Sequence, residues 1–347
     1  MKLRSWINII TIILLALAIF FGRNQLIQAW GLLGRVDLRI FLLIIPVQFF
    51  SYYAVGEVMF SYLRAKGNLS SMSRFEMTRI ALELNFVNHI IPVPSFAGFS
   101  YLGWMLSRHG VSAGRATMAQ IIRYAMMFTS FVALILFSVI ALIFDRGVDR
   151  TLIVISGSFI IAAIAATALL IYIIGNRTRI IVIAKWITKT TNNFMSKITH
   201  GKKKQVLNSE SVEKFFIDLH QDYAEIRNDK KILLKPLMWG VLGNILDVAL
   251  IEIAFLALGF WVNPAVLFIA YGISSFTAIF AATPGGSGVY EAIMIAFMVS
   301  AGVPAGAAIA GTLLARVTLF ACTILFGYIF YQLTMNKYGK INSPTNL

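Results

Sequence analysis

Two charged residues stand inside otherwise apolar sequence near the end of the chain, Glu291 and Arg316. An ionised side chain is expensive in hydrocarbon, so such residues face a protein interior or a wet cavity and often pair with each other. The chemistry open to them is recognition of a polar headgroup or carriage of a proton. Glu291 follows Pro284-Gly285-Gly286-Ser287-Gly288 and opens a short apolar segment, where the helix dipole favours negative charge. The amides of Gly286, Ser287 and Gly288 could hold a phosphate there. Glu291 would repel it unless Arg316 lies between them or a headgroup amine meets the carboxylate. The equally weighted reading is a structural Glu291–Arg316 pair closing the helix break. In the first half, Arg123 stands near the place equivalent to Arg316, with Glu83 or Glu76 as a candidate partner. Arg79 and Glu83 are four apart and share a helix face, so they could pair instead. Asp247 forms a polar stripe with Asn244, while Glu252 points elsewhere. Any of these acids could carry a proton.

The elements that position these residues are interrupted helices. Proline lacks an amide donor and glycine is a poor helix former, so a helix should break at Pro284-Gly285 and again at Gly302-Val303-Pro304. Backbone groups freed there must be buried in protein or line a wet cavity. The first half has its own breaks at Pro92, Pro94, Gly98 and Gly110. At an offset of 192 residues Pro92 falls on Pro284, Gly110 on Gly302, Val111 on Val303, Ala113 on Ala305, Gly114 on Gly306 and Ala116 on Ala308. The expectation is one transmembrane domain over 1–347 containing two related units, about 75–144 and 264–333, joined by a linker at about 176–235. Gly306 and Gly311 should permit close helix packing. Tyr52, Tyr53, Tyr101 and Trp104 read as interface anchors.

Composition sets the class. Of 347 residues 59% are hydrophobic, with mean hydropathy +0.79, and several apolar runs approach the ~20 residues that cross a bilayer. The expected fold is an all-α polytopic membrane protein with about six full spans, beginning with Ile7 to Phe21, plus two re-entrant or broken helix pairs forming an inverted repeat. The net charge of +15 lies beside apolar segments and in the central linker. It therefore argues for membrane orientation and not for nucleic acid. Both termini are expected in the cytoplasm of a cell-membrane protein. Placing Arg64, Lys66, Arg74, Arg108 and Arg115 inside makes the first hairpin enter and leave on that side, and the second on the uncharged outer side.

The linker holds 13 Lys or Arg against 6 Asp or Glu. Its first part, RTRIIVIAKWITKTTNNFMSKI, has apolar and basic positions at helical spacing and suits an interfacial helix against anionic headgroups. A single cysteine, Cys322, excludes an intrachain disulfide, and His89, His109, His200 and His220 have no metal-ligand spacing. No metal, cofactor or nucleotide site is expected.

PGGSGVYEA (Pro284 to Ala292) followed by AGVPAGAAIAGTLLAR (Ala301 to Arg316) resembles the flippase-like transmembrane region of lysylphosphatidylglycerol synthases. The resemblance runs through Gly288, Glu291, Gly302, Val303, Pro304 and Arg316, and in the first half through Asn88, Pro92, Gly98, Gly110 and Arg123. This chain departs where relatives carry an arginine and an acid around the first proline; it has Val93-Pro94-Ser95-Phe96-Ala97-Gly98. The resemblance implies movement of a phospholipid, in some relatives an aminoacylated one, between leaflets, and a homodimer. It also implies that aminoacyl transfer belongs to a separate soluble domain, so this chain is not expected to be an enzyme. The alternative is a membrane enzyme, or a non-catalytic subunit, in lipid or glycolipid biosynthesis.

Overall fold

A computed structural model describes residues 27, 30–90, 94–144, 150–198, 217, 226–278, 286 and 288–338. Among them there are helices and no strands. We number the longer helices α1 (Ile44–Ala65), α2 (Arg74–Ile90), α3 (Pro94–Ser107), α4 (Ala113–Phe144), α5 (Arg150–Ile174), α6 (Arg177–Ile198), α7 (Leu234–Ala257), α8 (Pro264–Ala278), α9 (Val289–Ser300) and α10 (Ala305–Tyr338). Four stretches among the described residues are long and apolar enough to cross a membrane: Leu38–Ala65, Gly114–Phe144, Lys230–Ala257 and Ala305–Lys337. Helix α5 is a further apolar helix of 25 residues. The span expected at Ile7 to Phe21 lies outside the described residues. The protein is all-α and crosses the membrane several times.

The broken pairs are the two short hairpins. Helix α2 packs on α3, and α8 on α9. Helix α9 is bounded by Gly288 and Ala301 and has 12 residues, a rise of about 18 Å. The 14 residues of α3 rise about 21 Å. Neither reaches the ~30 Å of a hydrocarbon core.

Helix ends 192 residues apart are built alike. Gly67 and Gly259 both take positive φ, +77° and +82°. The Gly67 N–H donates to Arg64 O at 3.0 Å and that of Gly259 to Leu256 O at 2.9 Å. Gly110 and Gly302 follow at φ +74° and +90°, with Val111 N–H to Leu106 O at 3.1 Å and Val303 N–H to Met298 O at 3.0 Å. A residue with a Cβ would be strained in this left-handed conformation, which is why glycine closes all four helices. Helices α4 and α10 then start at equivalent residues. Ser112 caps α4 with its Oγ on the Arg115 N–H at 3.4 Å. Its counterpart Pro304 has no such side chain, yet its carbonyl accepts from Ala308 at 2.9 Å as that of Ser112 does from Ala116 at 3.0 Å.

The residues group into two compact units. The first comprises Met1–Ser51, Leu134–Ser156 and Ile245–Leu325. In it, close packing at Gly311 rests on Phe255, since a Cβ there would lie 2.5 Å from the ring. The second comprises Tyr52–Ala133, Gly157–Asn244 and Phe326–Leu347. Its core joins Met59, Tyr62 and Leu63 of α1, Met77, Ile80 and Leu84 of α2, Tyr101, Leu102 and Met105 of α3, and Ala116, Ala119 and Ile122 of α4. Tyr101 and Tyr52 are buried here. They are therefore core residues and not the interface anchors their amphipathic rings suggested.

Candidate functional site

In the first unit the short helix α9 places Glu291 one turn from its start. One carboxylate oxygen accepts the Gly288 N–H at 2.5 Å and the other accepts Arg316 Nε at 2.7 Å. Arg316 also lies over the Tyr290 ring, 4.4 Å from its centroid, and over Phe320 at 4.8 Å. Both charged side chains are largely covered, at 16% and 15% exposure. The anion site at this helix start is thus filled by the protein's own carboxylate, and the Gly288 amide is not available to a phosphate. Gly286 is buried against Ala278, with φ +70°, so it serves the close approach of chain to helix. Ser287, Pro284 and Gly285 lie outside the described residues. Beside the pair is a small recess lined by Tyr290, Met294, Thr312, Arg316 and Leu319, where the buried Thr312 hydroxyl has no hydrogen-bond partner.

Asp247 and Asn244 do not act as one stripe. Asp247 Oδ1 accepts Ser51 Oγ at 2.5 Å and Oδ2 accepts the Tyr271 hydroxyl at 3.1 Å. Asn244, one turn earlier on α7, belongs to the second unit and ties α7 to α4. Its Nδ2 donates to Met127 O at 2.9 Å and to Ser130 Oγ at 2.7 Å. Interhelical hydrogen bonds in membranes are modest, so Asn244→Ala is expected to cost about 1 kcal/mol. Reversible unfolding in mixed micelles measures that loss.

In the second unit Glu83 is fully covered, at 0% exposure. It accepts hydroxyl protons from Tyr101 and from Thr334 at 2.6 Å, and Arg79 Nε lies 3.3 Å away. Its cation is therefore Arg79, four residues earlier, and not Arg123. Arg123 is buried on α4, lies over the neighbouring Tyr124 ring, and has no hydrogen-bond partner for its Nε. Gln120, one turn earlier, is buried with neither amide atom partnered. At the hairpin, Pro94 opens α3, and Gly98 lets the chain pass so close to Asn88 that a Cβ would sit 2.2 Å from Asn88 Oδ1. Pro92 lies outside the described residues.

Other groups escaped the reading of the sequence. Buried Glu57 is held by Arg64, whose Nη1 also reaches Met77 Sδ at 3.0 Å. The seven-residue spacing of this pair on one helix was the available signal. Ser51, Tyr271, Thr334 and Gln120 carry no charge and gave none. In the linker α6 is helical over Arg177–Ile198, with Val182 and Trp186 exposed and Arg179 stacked on Tyr172 at 3.6 Å. No cluster of metal-ligating side chains occurs among the described residues. A family model described as the lysylphosphatidylglycerol synthase TM region matches residues 6–327. No curated protein matches the chain.

Proposed function

The chain belongs to the lysylphosphatidylglycerol synthase TM-region family, and on that premise we propose that it is a flippase-like protein moving a phospholipid, plain or aminoacylated, between leaflets of the cell membrane. The observation that carries this reading is the pair of covered donors on α4 in the second unit, Arg123 Nε and the Gln120 amide, which have no acceptor among the described residues. A buried donor left unsatisfied costs about 1–3 kcal/mol. A phosphodiester supplies several anionic oxygens of the kind guanidinium groups bind, and it brings acyl chains that stay in the bilayer. The excess of positive charge near Arg64, Arg74, Arg108 and Arg115 supports a first hairpin that opens to the cytoplasm. The basic face of α6 suits anionic headgroups.

The test is reconstitution in liposomes with labelled phosphatidylglycerol and its lysyl derivative, using a quencher confined to one side. Leaflet exchange faster than in protein-free vesicles is expected. Arg123→Ala should slow it by about tenfold, the equivalent of one charge-assisted hydrogen bond. Exchange no faster than background sinks the reading. A change in lipid mass during incubation points instead to a membrane enzyme.

A further inference from the structure

Apart from Arg39 and Arg150, which are exposed, the helical segments of the first unit, residues 38–41, 44–51, 134–144, 150–156, 245–257, 264–278, 289–300 and 305–325, contain four charged residues: Asp247, Glu252, Glu291 and Arg316. The single base among them is committed to Glu291 at 2.7 Å. Asp247 forms no ion pair among the described residues; its bonds are to the hydroxyls of Ser51 and Tyr271. Glu83 has a similar pair of hydroxyl donors in the second unit, but it also has Arg79 at 3.3 Å. The difference between the two acids is a countercharge.

The geometry points to Asp247, with Ser51 and Tyr271, as a proton-binding site that couples lipid movement to a proton gradient. This rests on the translocase reading. A carboxylate inside a membrane span without a cation is costly to keep ionised, and acids in that position are recurrent proton carriers. The step is simple: a proton bonds to a carboxylate oxygen to give the neutral acid, and it leaves as the carboxylate re-forms. Neighbouring groups supply a path. Tyr271 is hydrogen-bonded to Ser275 as well as to Asp247, so Ser275, Tyr271, Asp247 and Ser51 form a chain of exchangeable hydrogens. These oxygens are already joined to one another, which suits a proton better than a larger cation that needs a full shell of free ligands.

The groups facing Asp247 from each packed helix are few. Helix α1 gives Ser51, α8 gives Tyr271, and α9 gives Tyr290, whose ring meets Tyr271 edge-on at 6.4 Å between centroids. Arg316 of α10 reaches that Tyr290 ring from 4.4 Å and holds Glu291. On the same helix as Asp247, Glu252 accepts the Val262 N–H at 3.4 Å. A shift of charge at Asp247 would thus be felt through Tyr271 and Tyr290 at the ion pair closing the helix break.

Two measurements on the full chain test this. Infrared difference spectra of the purified protein across a pH step should contain a carboxylic-acid signal that is lost in Asp247→Asn and kept in Glu252→Gln. Proteoliposomes holding a pH difference of either sign should move labelled lipid faster in one direction than the other, and Asp247→Asn should lose that asymmetry. Tyr271→Phe, which keeps the ring against Tyr290, should weaken it, so the proposal survives a folding failure of the asparagine variant. A missing signal, or asymmetry kept in Asp247→Asn or in Tyr271→Phe, overturns the site. Wild-type exchange that ignores the gradient overturns the coupling and leaves the translocase standing. Wild-type protein that moves no lipid fails the translocase reading, and the carboxyl signal then decides the site alone.

Discussion

Arg316→Ala is expected to stop lipid movement, by roughly 100-fold or more, the equivalent of about 2.8 kcal/mol at 1.4 kcal/mol per factor of ten. The side chain bonds Glu291 at 2.7 Å and lies over Tyr290 and Phe320, so three attachments go at once. What remains is a largely covered carboxylate at the mouth of α9 without its cation. Removing one partner of a buried pair destabilises by about 3–5 kcal/mol, and the small exposure of this pair places it at the lower end. Arg316→Lys keeps the charge but loses the planar stack and the Nε bond, and should fall between. The decisive variant is Glu291→Gln combined with Arg316→Gln, which removes both charges. We expect it to recover folding, read by thermal unfolding in detergent, while lipid exchange stays low. Recovery of exchange as well would make the pair a clasp for the helix break and nothing more.

The second large effect is on stability. Gly286→Val should destabilise the protein by about 3 kcal/mol, the sum of a left-handed backbone forced on a β-branched residue and of overpacking. The backbone at Gly286 has φ +70°, and a Cβ would come within 2.4 Å of Ala278 Cβ and 3.1 Å of its Cα. The nearest obstacles belong to a helix backbone and to a methyl that cannot rotate away. Gly288 is the useful comparison: its φ is +90°, but no atom lies within 4 Å of a Cβ. Gly288→Ala should therefore show the conformational cost alone, about 1–2 kcal/mol. Equal losses at the two positions would mean that contact with Ala278 contributes little.

The arginine and the glycine also mark where sequence reading stopped. Glu291 and Arg316 were visible because charge in an apolar run is rare, and their pairing was one of two readings left open. The spacing could not say that Glu291 also takes the Gly288 amide, since that depends on where α9 begins. Arg79 with Glu83 was legible as a four-residue step on one helix face. The choice between Arg79 and Arg123 as partner of Glu83 was not, because it turns on how α2 and α4 face the core. Tyr101 shows the same gap: an amphipathic ring suits an interface equally well until packing puts its hydroxyl on a buried acid.

Hydropathy, charge placement and the two Pro/Gly breaks determined by themselves a multi-pass helical membrane protein with interrupted helices. These follow from local physics: the length of an apolar run, the missing amide of proline and the conformations open to glycine act within a few residues. Tertiary structure alone decided that Asp247 meets Ser51 and Tyr271, 196 and 24 residues away. It alone brought Thr334 to Glu83 across 251 residues. Such contacts join uncharged hydroxyls to acids on distant helices, and no spacing rule connects residues whose proximity is created only when the helices pack.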